Sequence, residues 1–372
     1  MAVVKGEMVM GSRIILDNEV VEAAVLGGAV LGGGGGGSME MGRQAARLAV
    51  ELGSPELITL DSLPEDAVLL TVSAVGAPAA RTVYVKPVHY IRTVELFQKY
   101  TGQEIRGLIT NECGGLAAVN GWLQAAALGI PVVDAPCNGR AHPTGVMGSM
   151  GLHRLSGYVS RQVAVGGNPQ TNSYVEVFAS GSLETAAALV RQASVQAGGM
   201  VAVARNPVTA GYARENAAPG AIGRCIAVGR TIIENRSRGP LPVIEGVAGV
   251  LQGEIAFTGR VAAVDLETTG GFDVGRVVVR DGDRLAELTF WNEYMTLEIG
   301  SVRKGTFPDL LATMDLTTGL PLSSAEIKAG QEIAILHVHR DRLILGRGMK
   351  APELFQVVEK ATGKEVIKYI FS

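Results

Sequence analysis

Three features of the sequence predict an α/β fold in two parts, an N-terminal α/β domain with a mainly parallel sheet followed by a C-terminal mixed, β-rich domain. Short apolar runs alternate with helix-period segments through about residue 160, the pattern that parallel strands with crossover helices produce. The apolar fraction is 47%, rich in Ala and Val, and Gly reaches 49, which suits close helix–sheet packing and tight turns. From Gly246 onward the chain turns to alternating, glycine-punctuated segments. A chain of 372 residues exceeds one ordinary core, so two domains are expected, 1–160 and 161–372, the second carrying an α/β segment to about residue 240.

Asp17 is a good N-cap for a helix over Asn18 to Leu31, with Glu19 favourably placed in its first turn. The glycine run Gly32 to Gly37 follows, then Ser38 caps a second helix, Met39 to Leu52, which Gly53 ends. Leu57–Leu60, Val68–Val75, Gly107–Thr110 and Ile130–Asp134 read as short buried strands. Val88–Tyr100 and the Ala-rich Leu116–Leu128 read as helices stopped by Gly102 and Gly129. Beyond residue 160, Gln162–Val165, Tyr174–Phe178 and Val201–Ala204 read as strands. Ser182 caps a helix to about Gln196, and Ala221–Glu234 is another helix. Glu254–Val264, Val274–Arg280, Leu285–Trp291 and Glu332–Val338 are the later strands, with Thr268-Thr269-Gly270-Gly271 as a hairpin signal.

Several function classes are disfavoured. A net charge of −3 without a basic cluster argues against nucleic acid or an anionic membrane as partner. The apolar stretch Val20–Leu31 falls short of the roughly 20 residues of a membrane span. Met1–Arg13 has no leader-like apolar core, and Cys113, Cys137 and Cys225 form neither a disulfide framework nor a CxxC site, so a cytoplasmic location is expected. No GxxxxGK[ST], GxSxG or HExxH occurs. The glycine run contains GxGxxG, but a helix precedes it where a dinucleotide site needs a strand, so no nucleotide cofactor is expected.

In open α/β sheets, ligands bind at the carboxyl ends of strands, beside helix N-termini. Here that rule gathers three loops: Gly76-Ala77-Pro78, then Asn111-Glu112-Cys113-Gly114-Gly115, and the stretch from Asp134 through Arg140 and His142 to Pro143. The glycine run is either a flexible link or an anion cradle. Its place ahead of a capped helix favours the cradle, with Gly34, Gly35, Gly36, Gly37 and Ser38 as donors to a carboxylate or oxyanion. Glu112 is a general-base candidate or a surface glutamate. Asp134 is catalytic or a turn acceptor. Cys137, beside Arg140 and His142, is either a thiol activated as a nucleophile or a small buried hydrophobe. Arg140 can grip a carboxylate bidentately or tie its own loop together. Asn292 in Trp291-Asn292-Glu293 and Asp309 in Phe307-Pro308-Asp309 are polar breaks that either reach a cleft or form turns. His337 and His339, two apart on a strand, can share a metal, although spacing supplies no third ligand and supports no divalent metal; Cys137, His142 and an acidic residue are a weaker metal set.

The chain resembles the S-methyl thiohydantoin desulfurase family, formerly catalogued as a domain of unknown function associated with hydantoinases and oxoprolinases. The likeness covers nearly the whole length. It rests on Ala29-Val30-Leu31-Gly32 before the glycine run, Glu112 with Gly114-Gly115, Leu128 to Ala135, and Gly139-Arg140-Ala141. In the second half it rests on Thr269-Gly270-Gly271-Phe272, Trp291-Asn292-Glu293, Phe307-Pro308-Asp309-Leu310, Thr318-Gly319 and Gly330-Gln331. The chain departs from the family pattern after Asp134-Ala135. Pro136-Cys137-Asn138 stands where Asp-Gly-Met is usual, and His142-Pro143-Thr144 where Phe-Pro-Glu is usual, changes that bear on the substrate.

The resemblance implies a hydrolase that removes methanethiol from an S-methylated thiohydantoin ring, or opens a related cyclic amide, at a site between the two domains. Glu112 or Asp134 then serves as base, the glycine amides stabilise developing charge, and Arg140 holds the ring carbonyl or a carboxylate. The alternative is a non-catalytic subunit that binds a hydantoinase or oxoprolinase. A homo-oligomer fits either reading.

Overall fold

The computed structural model describes residues 12–76 and 83–371, together with the backbone of a two-residue hairpin, β1 (Val3–Val4) and β2 (Glu7–Met8). Ala77 and Pro78 of the first strand-end loop lie outside the described residues. Asp17 caps helix α1 (Asn18–Leu31), its carboxylate accepting from the Val20 amide at 2.9 Å. Ser38 does the same for α2 (Met39–Leu52).

A mixed eight-stranded sheet is built from β3 (Arg13–Ile15), β4 (Glu56–Ile58), β5 (Val68–Gly76), β6 (Gly107–Thr110), β7 (Val132–Val133), β8 (Ser160–Gly166), β9 (Val175–Gly181) and β10 (Met200–Thr209). Their order is β3-β4-β7-β6-β5-β10-β8-β9. The run β4-β7-β6-β5 is parallel, and every other pairing in the sheet is antiparallel. The sheet therefore continues past residue 160, where the sequence suggests a boundary, and the change of architecture falls at Glu254.

Helices α3 (Pro87–Thr101), α4 (Trp122–Leu128), α5 (Leu183–Gln196), α6 (Ala210–Asn216), α7 (Ala221–Asn235) and α8 (Pro240–Val250) cover this sheet and link it to the next. The helix expected over Leu116–Leu128 is broken. Ala117–Val119 forms a 3₁₀ turn, and Gly121 adopts a φ of +97° before α4 begins. Helix α8 covers part of the stretch in which the sequence shows a β-like character.

The second sheet is wholly antiparallel. It comprises β11 (Glu254–Thr269), β12 (Phe272–Asp281), β13 (Arg284–Trp291), β14 (Glu293–Ile299), β15 (Val302–Thr306), β16 (Leu310–Asp315), β17 (Pro321–Leu322) and β18 (Glu332–Val338), in the order β15-β14-β13-β12-β11-β18-β16-β17. Gly270 and Gly271 turn the β11–β12 hairpin with positive φ at both positions, as that signal predicts. Short helices α9 (Gln356–Thr362) and α10 (Ile367–Ile370) follow. Among the described residues, no helix is long and apolar enough to cross a membrane.

The glycine run lies between the two sheets. Gly33 O accepts from the Tyr294 amide of β14 at 2.8 Å, and Gly34 O accepts from the Ser324 amide at 2.9 Å. Gly36 O takes the Leu116 and Ala117 amides of the first half. Both halves thus hydrogen-bond to one short segment of backbone, and it holds the second sheet against the carboxyl ends of β5 and β6.

Candidate active site

At those carboxyl ends lies a cavity of about 350 Å³, near the small end of ligand sites and sized for a small ring. Strand β5 contributes Ala74 to Gly76, and β6 runs directly into Asn111 and Glu112. The loop after β7 supplies His142 to Val146, α5 supplies Arg191, and β10 supplies Met200 and Arg205. From the second sheet come Phe272, Asn292 and Glu293, and from the glycine run Gly36 and Gly37.

Glu112 is held by its own turn. The Thr110 hydroxyl at the end of β6 donates to Ala117 O at 2.6 Å, which fixes the loop. Glu112 Oε2 accepts from the His142 amide at 3.2 Å and sits 3.3 Å from His142 Nε2. Burial pushes the Glu112 carboxyl up to about 7, against the lowering effect of the His142 amide and the Arg205 charge. Burial and Arg205 bring His142 down to about 4, so its imidazole is neutral at physiological pH. Nε2 also lies 3.4 Å from Asn111 O, a position that suits an Nε2–H donor, and Nδ1 has no partner among the described residues.

Two arginines face this pair. Arg191 commits its guanidinium to carbonyls, donating to Gly271 O at 3.0 Å, Gly76 O at 3.1 Å and Pro143 O at 3.4 Å, and it stacks on Phe272. Arg205 is different. It is buried, and among the described residues its side chain makes no hydrogen bond or ion pair. Strand β10 shifts register just beyond it, where Asn206 adopts a φ of +53°. Glu112 is a carboxylate that acts on Arg205 through space, but a buried cation with no hydrogen-bonded counter-charge is still costly, and an anionic ligand in the cavity would relieve that cost.

The second sheet brings Glu293. Its carboxyl is buried against the glycine run: a Cβ on Gly35 would fall 2.0 Å from Glu293 Oε1, so only glycine leaves room there. Oε2 has no hydrogen-bond partner among the described residues. Asn292, at the corner between β13 and β14 with a φ of +59°, uses its side-chain oxygen to accept the Asp273 amide at 2.9 Å.

Of the residues singled out from the sequence, Glu112, His142, Gly36, Gly37 and Asn292 line the cavity. Asp134 does not. It accepts from the Ile222 amide at 2.8 Å and the Gly223 amide at 3.0 Å, and so caps α7, whose own N-cap residue, Gly220, has no side chain to do so. Cys137 is buried against Thr71 and lies outside the lining. Burial pushes its thiol up to about 11, the reverse of the activation expected beside Arg140 and His142.

Arg140 is also off the cavity. It stacks on Phe307 and donates to the carbonyls of Ala141, Pro308 and Asp309, tying the two halves together. Asp309 bonds His337 and Arg340. Gly34 and Gly35 make room for Tyr294 and Glu293, while Gly114 and Gly115 pack on Gly36, Gly37 and Met39. Ser38 serves as a helix cap. The cradle expected of the whole run therefore reduces to the amides of Gly36 and Gly37, which have no partner among the described residues.

The residues weighed as metal ligands are engaged elsewhere. His337 bonds Glu254 and Asp309, while His339 lies past the end of β18 beside Asp341. Among the described residues no group of three or more His, Cys, Asp or Glu is placed to hold a metal, the Cys137 and His142 set included.

Arg205, Arg191 and Glu293 carry no sequence motif that marks them as site residues. A single arginine in the apolar run Val201 to Val208 was the available signal for Arg205. Glu293 stands in the polar break Trp291-Asn292-Glu293, but only the fold places it against Gly35.

Fold and cavity together define a two-sheet α/β protein with a small cavity at the carboxyl edge of its mixed sheet. The chain matches the S-Me-THD-like N-terminal domain over residues 19–172 and the S-Me-THD-like C-terminal domain over residues 182–359, and it belongs to that family. A crystal structure of a protein from Chromobacterium violaceum, solved in a structural genomics programme, superposes with a TM-score of 0.70 at 19% identity. It covers 94% of this chain and 96% of its own, a likeness of fold. No curated protein matches the chain.

Proposed function

We propose that the protein hydrolyses a small S-methyl thiohydantoin or closely related cyclic amidine, releasing a thiol. The observation that supports this most is Glu112, a buried carboxyl poised near neutrality in the wall of a ring-sized cavity. In its ionised form Glu112 takes a proton from water as the oxygen attacks the sulfur-bearing ring carbon. Electrons pass to the adjacent ring nitrogen and carbonyl, and the Gly36 and Gly37 amides, unengaged among the described residues, donate to that charge. Arg205 pairs with an anionic part of the substrate. The family supports an enzyme of this kind, and the cavity supports the location of the chemistry.

The test is release of methanethiol from a panel of S-methyl thiohydantoins. Turnover by the wild-type protein is expected, with a loss of about 10²- to 10⁴-fold in Glu112→Gln. Because the base works only when ionised, kcat/KM should fall on the acid side with a midpoint near 7. Unchanged turnover in Glu112→Gln would overturn the assignment. A silent wild-type protein that co-purifies with a hydantoinase-type enzyme would return the chain to a binding role.

A further inference from the structure

Breaking a carbon–sulfur bond to an alkyl thiolate is helped by a proton donor, and the cavity wall holds a second buried carboxyl besides Glu112 that is available for that role. Glu293 is the other carboxyl buried in the cavity wall. It enters from the opposite sheet, so the two carboxyls reach the cavity from different halves of the molecule. Its Oε2 has no partner among the described residues, which is uncommon for a buried polar atom and is relieved when a ligand atom meets it. Gly35 holds the space for the carboxyl, and among the described residues no hydrogen bond engages Oε2.

We propose that Glu293 is the general acid of the reaction, protonating the departing sulfur while Glu112 serves as base. The inference rests on the hydrolytic reading above. Burial and the neighbouring Glu112 charge hold the Glu293 carboxyl well above the usual range, in the protonated form a donor needs.

The step balances. Glu112 carboxylate removes one proton from water as the oxygen–carbon bond forms, and the carbon–nitrogen π pair moves onto the ring nitrogen. That pair then returns, the carbon–sulfur bond breaks, and sulfur takes the Glu293 proton to leave as methanethiol. The products are the hydroxy tautomer of the hydantoin, protonated Glu112 and ionised Glu293, and transfer of one proton between the two carboxyls restores the starting state.

The experiment compares S-methyl substrates with S-aryl substrates, whose thiolates leave without protonation. In Glu293→Gln, thiol release from the S-methyl ring should fall about 10²- to 10⁴-fold, with a much smaller loss for the S-aryl ring. The alkaline limb of the wild-type pH profile should disappear. An unchanged circular dichroism spectrum and near wild-type turnover of the S-aryl ring in the variant separate a lost donor from a misfolded protein. Equal losses for both leaving groups in a folded Glu293→Gln protein would overturn the assignment of Glu293 alone. A wild-type protein that releases no thiol from either substrate overturns the hydrolytic reading and this inference with it.

Discussion

Burial acts in opposite directions on the titratable groups in and around the cavity, and their chemistry sorts accordingly. It raises Glu112 to about 7 and lowers His142 to about 4, which leaves a neutral imidazole beside a carboxyl able to exchange protons near neutral pH. It raises Cys137 to about 11, so almost no thiolate forms at neutral pH. Cys137 packs with Val133, Ala135 and Met150, and its role is to fill space. Cys137→Ala should therefore release thiol at the wild-type rate, with a stability loss of about 1 kcal/mol in chemical denaturation. Loss of turnover in a folded Cys137→Ala protein would restore the nucleophile reading.

At the scale of elements, local signals were legible and tertiary ones were not. Asp17, Ser38 and Ser182 cap the helices they predict because a cap is a matter of a few neighbouring residues. The strand-end rule placed Glu112 and His142 at the cavity, since the order of β5, β6 and β7 follows from chain alternation. Arg205 escaped it because it lies partway along an antiparallel strand rather than at a parallel strand's end. Strands β14 and β16 went unread because nearly all their residues are buried, so no alternation marks them.

The glycines carry a second lesson. Helices α1 and α7 cross so closely that a Cβ on Gly229 would sit 1.8 Å from Ala23 O, and one on Gly27 would sit 1.8 Å from Cys225 O. A helical Gly→Ala change gains about 1 kcal/mol in propensity where space is free. At Gly229 the backbone overlap forces the helices apart, a cost of about 1–3 kcal/mol or more that outweighs the gain. Gly229→Ala should lower the urea midpoint, whereas Gly249→Ala on α8, with nothing within 4 Å, should not. Equal midpoints would show that the α1–α7 crossing tolerates separation.

At the scale of the whole molecule, the connections that join the halves include the glycine run, Arg191 and Arg140, whose guanidinium donates to the carbonyls of Pro308 and Asp309. The Asp309 carboxylate is held in turn by His337 Nε2 at 3.3 Å and the Arg340 amide at 3.0 Å, and His337 Nδ1 lies 3.1 Å from Glu254. For His337, burial opposes charge, but the hydrogen bonds to Asp309 and Glu254 outweigh it and raise the pKa above 6.5. The folded state therefore favours the imidazolium. Its contribution to stability is complete below the unfolded value near 6.5 and is lost as pH rises through the higher folded value. Asp309 is shifted the other way: burial raises it, yet His337 and the Arg340 amide lower it further, so its contribution is lost only as pH falls below the ordinary carboxylate range. The junction should consequently be firmest in mildly acidic solution and weaken toward alkaline pH. In denaturant titrations across that range, the wild-type advantage over His337→Gln should shrink as pH rises past neutrality, and a constant difference would show that the charge on His337 does not contribute to holding the junction.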